Sequence, residues 1–149
     1  MKMSTALAAA LLAGACCATA VLAQSDPIKA RKALMSENDD HAKIMIQTIR
    51  GQKPFDSKAV EAAFAQWLDT AQKLPALFPE DSKTGEKTRA APQIWLDKKD
   101  FDEKAAAFGK AVADNRAKAV ASLDGLKSAI NVVGKACDNC HEDYRLSRR

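Results

Sequence analysis

The sequence predicts an all-α protein, an antiparallel four-helix bundle. Four stretches between residue 26 and the C-terminus carry apolar residues at the three- and four-residue spacing of a helix, whereas none alternates as a strand does. Each stretch is bounded by residues that typically begin or end helices. Two of the three connections between the stretches are short, and short connections between amphipathic helices are typical of antiparallel neighbours around one core.

The first predicted helix begins at Ser25-Asp26-Pro27, where a capping residue precedes an acid and a proline, and it ends at Gly51. Its seam repeats every seven residues and comprises Ile28, Met35, Ala42 and Ile49, with Arg31, Asn38 and Met45 at the intervening positions. The second predicted helix begins at Asp56 and stops before Pro75, because proline cannot continue a helix. Its apolar face comprises Val60, Phe64, Trp67, Ala71 and Leu74.

The segment from Pro75 to about residue 91 contains proline, glycine and many polar residues, so it is predicted as the long connection of the bundle. The third predicted helix starts near Pro92 and continues without a break. Its apolar face comprises Ile94, Trp95, Phe101, Ala105, Phe108 and Val112. The fourth predicted helix has Asp124 as its cap and ends near Ser147.

The fourth predicted helix contains Cys137-Asp138-Asn139-Cys140-His141, and Cys-x-x-Cys-His is the attachment signature of a c-type haem. Two thiols three residues apart can each bond one vinyl group of the same porphyrin, while the adjacent imidazole binds the iron. Positions i, i+3 and i+4 lie on one side of a helix, so Cys137, Cys140 and His141 face the same core. The motif predicts one covalently bound haem c near the C-terminal helix, with His141 as the proximal ligand.

Two other chemistries use a Cys-x-x-Cys pair. A structural zinc site needs about four ligands, and His41 is the only histidine left to add to those of the motif. A thioredoxin-like redox pair expects the strands of a βαβ unit, whereas the residues around this motif follow a helical spacing. The sequence therefore favours haem over both alternatives.

Residues 1–23 have the pattern of a secretory signal peptide, with a lysine, an apolar run and a small-residue cleavage site before Gln24. Removing 23 of the 149 residues leaves 126, the size of one domain (24–149), and leaves only the two cysteines of the motif. Gly14-Ala15-Cys16 faintly resembles a lipoprotein processing site, but apolar residues follow it instead of a polar tether. The sequence predicts an exported, soluble periplasmic domain without a membrane span.

The charge of the chain is weakly basic. The formal net charge of +4 becomes +3 when Lys2 leaves with the signal peptide, and the remaining lysines and arginines are dispersed. Dispersed charge indicates a solvated surface and gives no reason to expect nucleic acid as a partner. The expected partners are redox proteins, and the sequence is compatible with a monomer or a homodimer.

With a haem motif at the C-terminal end of a four-helix pattern, the chain resembles the class II cytochromes c, the cytochrome c′ family. The resemblance covers essentially all of residues 26–149. It rests on three segments, Ile28-Lys29-Ala30-Arg31, Pro92-Gln93-Ile94-Trp95 and Gly134-Lys135-Ala136-Cys137-Asp138-Asn139-Cys140-His141-Glu142-Asp143-Tyr144-Arg145. The position of the haem motif is itself diagnostic, since class I cytochromes c carry theirs near the N-terminus.

The resemblance implies one of two kinds of haem. Cytochromes c′ proper leave the sixth iron position open and bind nitric oxide or carbon monoxide, whereas the low-spin cytochrome c-556 type fills it with a methionine from helix one. The segment Lys32-Ala33-Leu34-Met35 resembles the second kind more closely. This implies that Met35 is the sixth ligand and that the protein is a single-electron carrier, not an enzyme.

Reasoning from the residues alone favours Met35 and leaves an alternative open. Met45 lies on the same seam about 15 Å further along the helix axis, so the two methionines cannot share one iron. An antiparallel bundle places the start of helix one beside the end of helix four, where Met35 is. In the alternative, Met35 is a flexible filler over an open iron. His41 is on a different side of the helix from Met35 and is expected to face solvent.

The resemblance also implies positions near the haem for three further residues. Arg31 and Arg145 match basic positions that the family keeps there, and they are candidates for contact with the haem or its propionates. Each is equally consistent with an ordinary surface cation. Trp95 matches the family's tryptophan at the haem edge, and a tryptophan packed in the core is the competing interpretation.

Overall fold

The structure, a computed structural model, describes residues 26–147 of the chain. The predicted signal peptide, the lipoprotein-like Cys16 and Ser25 of the first predicted cap lie outside the described residues. The described chain forms the α-helices α1 (Pro27–Ile49), α2 (Ser57–Lys73), α3 (Gln93–Leu96), α4 (Lys98–Ala121) and α5 (Leu123–Tyr144). The long helices α1, α2, α4 and α5 form the bundle, which confirms the predicted all-α fold class. Within residues 26–147, no helix is both long and apolar enough to span a bilayer.

Aspartates begin the first two helices. The Asp26 carboxylate accepts a hydrogen bond from the Ile28 amide at 2.9 Å, and the Asp56 carboxylate accepts one from the Lys58 amide at 2.8 Å. Each bond satisfies one of the amides that the first turn of a helix leaves without a partner. Asp56 was the predicted start of α2. At the other end of α1, Gly51 follows the helix with a φ of 72°.

The third predicted helix is interrupted at Asp97, so the prediction of one continuous helix from Pro92 is wrong. The Asp97 amide donates to the Gln93 carbonyl at 2.9 Å and ends α3, while its carboxylate accepts from the Asp100 amide at 3.1 Å and begins α4. The same residue therefore caps two helices, and its φ of −133° turns the chain between them.

The turn between α4 and α5 consists of Ser122 alone. The Ser122 hydroxyl accepts a hydrogen bond from the Gly125 amide at 3.1 Å, so Ser122 caps α5 in place of the predicted Asp124. A Cβ at position 125 would lie 1.9 Å from the carbonyl oxygen of Lys118. Glycine at this position thus permits the close approach of α5 to the end of α4. At its other end α5 stops at Tyr144, three residues before the predicted Ser147.

The long connection between α2 and α3 contains two short 3₁₀ turns, Leu74–Leu77 and Glu80–Ser82. It returns to the bundle beside the end of α5, where the Ala91 amide donates to the Tyr144 carbonyl at 3.0 Å. The connection therefore lies against the helix that carries the haem motif.

Two clusters of buried side chains fill the interior. The main core comprises Met45, Val60, Ala63, Phe64, Trp67, Phe108, Val112, Ala119, Leu126, Ala129 and Val133. The second, which we call the aromatic cluster, comprises buried Leu74, Ile94, Phe101 and Tyr144, with Met35, Phe78, Ala90, Trp95 and Cys140 packed against it. The aromatic cluster contains residues of the first half of α1, the long connection, α3, the start of α4 and the end of α5.

Candidate haem site

The Cys-x-x-Cys-His motif lies in the last two turns of α5, with both cysteines free and half-buried. Cys137 packs against the main core, and Cys140 packs against the aromatic cluster. The two thiols therefore face the interior where the two clusters meet. This is the arrangement expected for positions i and i+3 of a helix.

The surroundings of the two thiols keep them protonated. Burial raises the pKa of Cys137 to about 11, and the negative charge of Asp138 acts in the same direction. Burial also raises the pKa of Cys140, although the nearby Lys104 opposes the shift. Redox-active Cys-x-x-Cys pairs have lowered thiol pKa values in electropositive surroundings. The structure thus argues against thiol-disulfide exchange as the use of this motif.

His141 is half-buried in the last turn of α5. Burial lowers its pKa, and the positive charges of Arg145 and Arg89 act in the same direction. A lowered pKa favours the neutral imidazole, which is the form that binds a metal. Within residues 26–147, no group of three or more histidine, cysteine or acidic side chains is placed so that it could hold a metal ion.

The two methionines of α1 lie in different parts of the interior. Met45 is 1% exposed inside the main core, whereas Met35 packs against the aromatic cluster, as Cys140 does. Met35 is therefore the thioether that shares a cluster with the haem motif. His41 is partly exposed, and its position six residues after Met35 directs it to another side of α1.

Trp95 belongs to a series of aromatic contacts in the aromatic cluster. Its indole N–H donates to the carbonyl oxygens of Phe78 at 3.0 Å and Pro79 at 3.1 Å. Its ring meets Phe78 edge-on with centroids 5.7 Å apart, and the contacts continue from Phe78 to Phe101 at 4.8 Å and from Phe101 to Tyr144 at 5.3 Å. These ring contacts run from Phe78 of the long connection to Tyr144 of α5, one turn beyond His141.

Arg31 is the only buried cationic side chain in the described part of the chain. Its guanidinium donates to the Leu77 carbonyl, to the Ser82 hydroxyl and carbonyl, and to the Thr88 hydroxyl, at 2.8–3.0 Å. These residues all belong to the long connection. The sequence placed Arg31 on the inner seam correctly, but it gave no sign of these partners.

Arg145 follows the last residue of α5 and is exposed. Its amide donates to the His141 carbonyl at 3.2 Å, so its backbone completes the last turn around the histidine. Sequence reasoning missed the polar group beside the motif, in which the Tyr144 hydroxyl donates to Asp100 and Lys104 pairs with Asp143. The four-residue spacing of Asp100 and Lys104 on one helix could have indicated it.

Similarity to known proteins identifies the family. A profile described as Cytochrome C′ matches residues 26–145. The chain belongs to the cytochrome c′ family. It is 39% identical over 132 residues to cytochrome c-556 of Rhodopseudomonas palustris, covering 86% of this chain and 88% of that protein. It is also 39% identical over 129 residues to cytochrome c′ of the same organism, covering 85% and 86%. The structure of cytochrome c′ from Rhodopseudomonas palustris matches with a TM-score of 0.79 at 36% identity, covering 85% of this chain and 100% of that one.

Proteins of the cytochrome c′ family carry one covalently bound haem c, so this chain is a c-type cytochrome and the predicted cofactor is confirmed. Cytochrome c-556 and cytochrome c′ of one organism match it with equal identity. Membership of the family therefore does not distinguish an open sixth position from a closed one. That distinction depends on the residues of the site.

The residues of this cytochrome fit a haem on the inner side of α5. Two half-buried free thiols three residues apart and an adjacent imidazole supply the donor set. One turn before the motif, a Cβ at Gly134 would meet no atom within 4 Å beyond its chain neighbours and the adjacent backbone of α5, whereas one at Gly109 would meet the Ala71 side chain at 3.0 Å. Apolar and aromatic side chains from four other elements, α1, the long connection, α3 and α4, pack in the same cluster as Cys140.

Proposed function

We propose that this cytochrome is a single-electron carrier, with its haem attached through Cys137 and Cys140 and ligated by His141 and Met35. The haem supplies an iron that accepts and releases one electron between the ferric and ferrous states. One observation carries the proposal, namely that Met35 and Cys140 pack against the same cluster while Met45 is buried in the other one.

The two proposed ligands have complementary properties. The neutral His141 imidazole is a nitrogen donor on a continuous helix, and the Met35 thioether is a soft sulfur donor on another. A thioether favours the ferrous state, so we expect a higher reduction potential than two histidines would give. Because both ligands are held by packed helices and suit both oxidation states, little rearrangement accompanies electron transfer.

The rest of the site keeps solvent and substrates away. Phe78, Phe101 and Tyr144 form edge-on contacts beside Cys140, and aromatic side chains of this kind exclude water. If His141 and Met35 both bind the iron, no coordination position would be left for a substrate. We therefore infer outer-sphere electron transfer to a redox partner protein and no enzymatic activity.

A gas-binding cytochrome c′ is the second candidate function. In this case Met35 only shields an open iron position, and nitric oxide or carbon monoxide binds there. The 39% identity to cytochrome c′ of Rhodopseudomonas palustris favours this candidate as much as the relationship to cytochrome c-556 favours the carrier. The side chain of methionine is flexible enough for either role.

Absorption spectra of the purified ferric and ferrous protein separate the two candidates. The carrier is expected to show low-spin bands, including the weak far-red band of a methionine-to-iron transition, and to bind carbon monoxide poorly when ferrous. A high-spin spectrum with ready binding of carbon monoxide would replace the carrier by the gas-binding protein.

We further propose that the protein is exported to the periplasm after cleavage of residues 1–23. The Cys-x-x-Cys-His motif supports this, because covalent haem attachment takes place outside the cytoplasm. The mass of the mature protein from a competent host is expected to equal that of residues 24–149 plus one haem. A mass that includes residues 1–23, or a lipid on Cys16, would contradict this processing.

A further inference from the structure

The Arg31 guanidinium is bonded to one segment of the long connection, residues 77–88, which we call the lid segment. The side chain is 4% exposed. Its four terminal N–H groups donate to Leu77 O at 2.9 Å, Ser82 Oγ at 2.9 Å, Ser82 O at 2.8 Å and Thr88 Oγ1 at 3.0 Å. A guanidinium has five N–H groups, so only Nε–H is left for another acceptor. All the terminal N–H groups of Arg31 are therefore used in hydrogen bonds to the lid segment.

All of these acceptors are neutral. Within residues 26–147, the Arg31 guanidinium forms no hydrogen bond or ion pair with a carboxylate. A buried cation is unfavourable unless its N–H groups are satisfied, so the lid segment is what allows Arg31 to remain inside the protein. Removal of these acceptors should therefore free both the arginine and the segment.

The lid segment has little regular structure of its own. Glu80–Ser82 forms one 3₁₀ turn, and Gly85, Glu86 and Lys87 have φ values of 111°, 46° and 50°. Two of these residues are not glycine, and left-handed backbone is unfavourable for them. A contact from α1 holds this turn, because the Lys32 ammonium donates to the Glu86 carbonyl at 2.8 Å. The segment thus depends on α1 for its position.

The lid segment reaches the methionine side of the site through two aromatic side chains. The Arg31 guanidinium lies 4.6 Å from the centroid of Phe78, whose carbonyl accepts from the indole of Trp95. Both rings pack against the aromatic cluster, as does Met35, which follows Arg31 by one helical turn. Displacement of the lid segment would therefore remove packing from the side of the site where Met35 lies.

We propose that Arg31 is a positioning residue that clamps the lid segment over the Met35 side of the site, and that opening of this clamp admits an external ligand to the iron. Arg31 acts here through Phe78 and Trp95, and not through the haem propionates. The statement about the iron rests on the proposed function, whereas the clamp itself does not.

Hydrogen exchange in the holoprotein tests the clamp. The double variant Ser82→Ala/Thr88→Val removes two acceptors and keeps Arg31 and both proposed iron ligands. Amides of residues 80–90 are expected to exchange at least about tenfold faster, because the variant removes two bonds to the charged guanidinium, and local opening governs exchange. The variant also removes the bonds from Ser82 Oγ to the Pro79 carbonyl and from the Ala90 amide to Thr88 Oγ1, so Arg31→Gln, which keeps both, must accelerate the same amides if the clamp is correct. Thr70→Val is the matched control, since it breaks a buried hydroxyl bond to Asn38 away from the lid segment.

Carbon monoxide binding to the ferrous protein tests the link to the iron. In the double variant its rate is expected to rise by about the same factor as the exchange of the lid amides, since one opening limits both. Arg31→Gln is expected to have the same effect. If Arg31 only stabilised the fold, the variants would accelerate hydrogen exchange of the lid amides but leave the rate of carbon monoxide binding unchanged.

Two results would overturn the inference. The clamp is wrong if lid amides exchange at the wild-type rate in the double variant, or equally fast in Thr70→Val. The route through the lid is wrong if Arg31→Gln alters the spectrum or the binding rate while the double variant does not, because Arg31 would then act on the haem directly. Failure of the proposed function is separate, since it would appear as an unchanged spectrum in Met35→Ala with the exchange results intact.

Discussion

The Tyr144 hydroxyl donates a hydrogen bond to the Asp100 carboxylate at 2.5 Å and so joins the end of α5 to the first turn of α4. Tyr144 is three residues beyond His141, and its ring packs edge-on against Phe101. The bond therefore fixes the last turn of α5, which carries the proposed proximal ligand.

Replacing Tyr144 by phenylalanine tests the strength of this link. Tyr144→Phe keeps the ring and removes one hydrogen bond to a charged acceptor, so we expect a loss of about 1–2 kcal/mol in the free energy of unfolding. Denaturant titration of the holoprotein measures the loss. The covalently bound haem should be retained, and an unchanged unfolding midpoint would show that the bond contributes nothing.

Ionisation of the Tyr144 phenol is expected to destabilise the folded protein at alkaline pH. Burial, followed by the bond to Asp100, raises the pKa of Tyr144 above that of a free tyrosine, so the neutral phenol stabilises the folded state. This contribution is complete below about pH 10, the pKa of the unfolded chain, and is lost as the pH rises above it. Between pH 8 and pH 11, the free energy of unfolding should therefore decrease more steeply with pH in the wild type than in Tyr144→Phe. Parallel curves would contradict the assignment.

The sequence predicted the elements that depend on local patterns and missed those that depend on distant partners. The motif on α5 and the cap at Asp56 are local, since each is read from a few consecutive residues. The apolar spacing continues across Asp97, so periodicity alone could not reveal the break that its backbone and side-chain bonds produce. The partners of Arg31 are 46 to 57 residues away, and a seam position says only that the side chain points inward.

Gly125 should be intolerant of substitution. In Gly125→Ala the new Cβ would overlap the Lys118 carbonyl oxygen at 1.9 Å, so the turn at Ser122 must move. We expect the free energy of unfolding to decrease by about 1–3 kcal/mol, as at other overpacked sites. Thermal or denaturant unfolding measures this change. Ser128→Ala on an exposed position of the same helix is the control and should change stability by less than about 0.5 kcal/mol. Equal stability of the two variants would mean that the turn adapts freely.

The attachment of the haem can be tested one thiol at a time. Cys137→Ser and Cys140→Ser should each leave one thioether bond, so the haem should stay with the chain after denaturation. The double variant should release it, because no covalent bond remains. Denaturing gels stained for haem and mass spectra of the variants measure this. Covalent haem in the double variant, or colourless wild-type protein with two titratable thiols, would exclude the assignment of these cysteines.

Met35 and Met45 provide a matched pair for the sixth ligand. Met35→Ala removes the thioether that packs against the same cluster as Cys140, so the iron should change from low spin to high spin and bind carbon monoxide. Met45→Ala instead creates a cavity in the main core, where Met45 is 1% exposed, and should cost about 2–5 kcal/mol while the low-spin spectrum is kept. Absorption spectra and unfolding curves of both variants separate ligation from packing. If Met35→Ala kept the wild-type spectrum, Met35 would be a side chain that packs beside the iron without binding it, and the gas-binding function would become the better assignment.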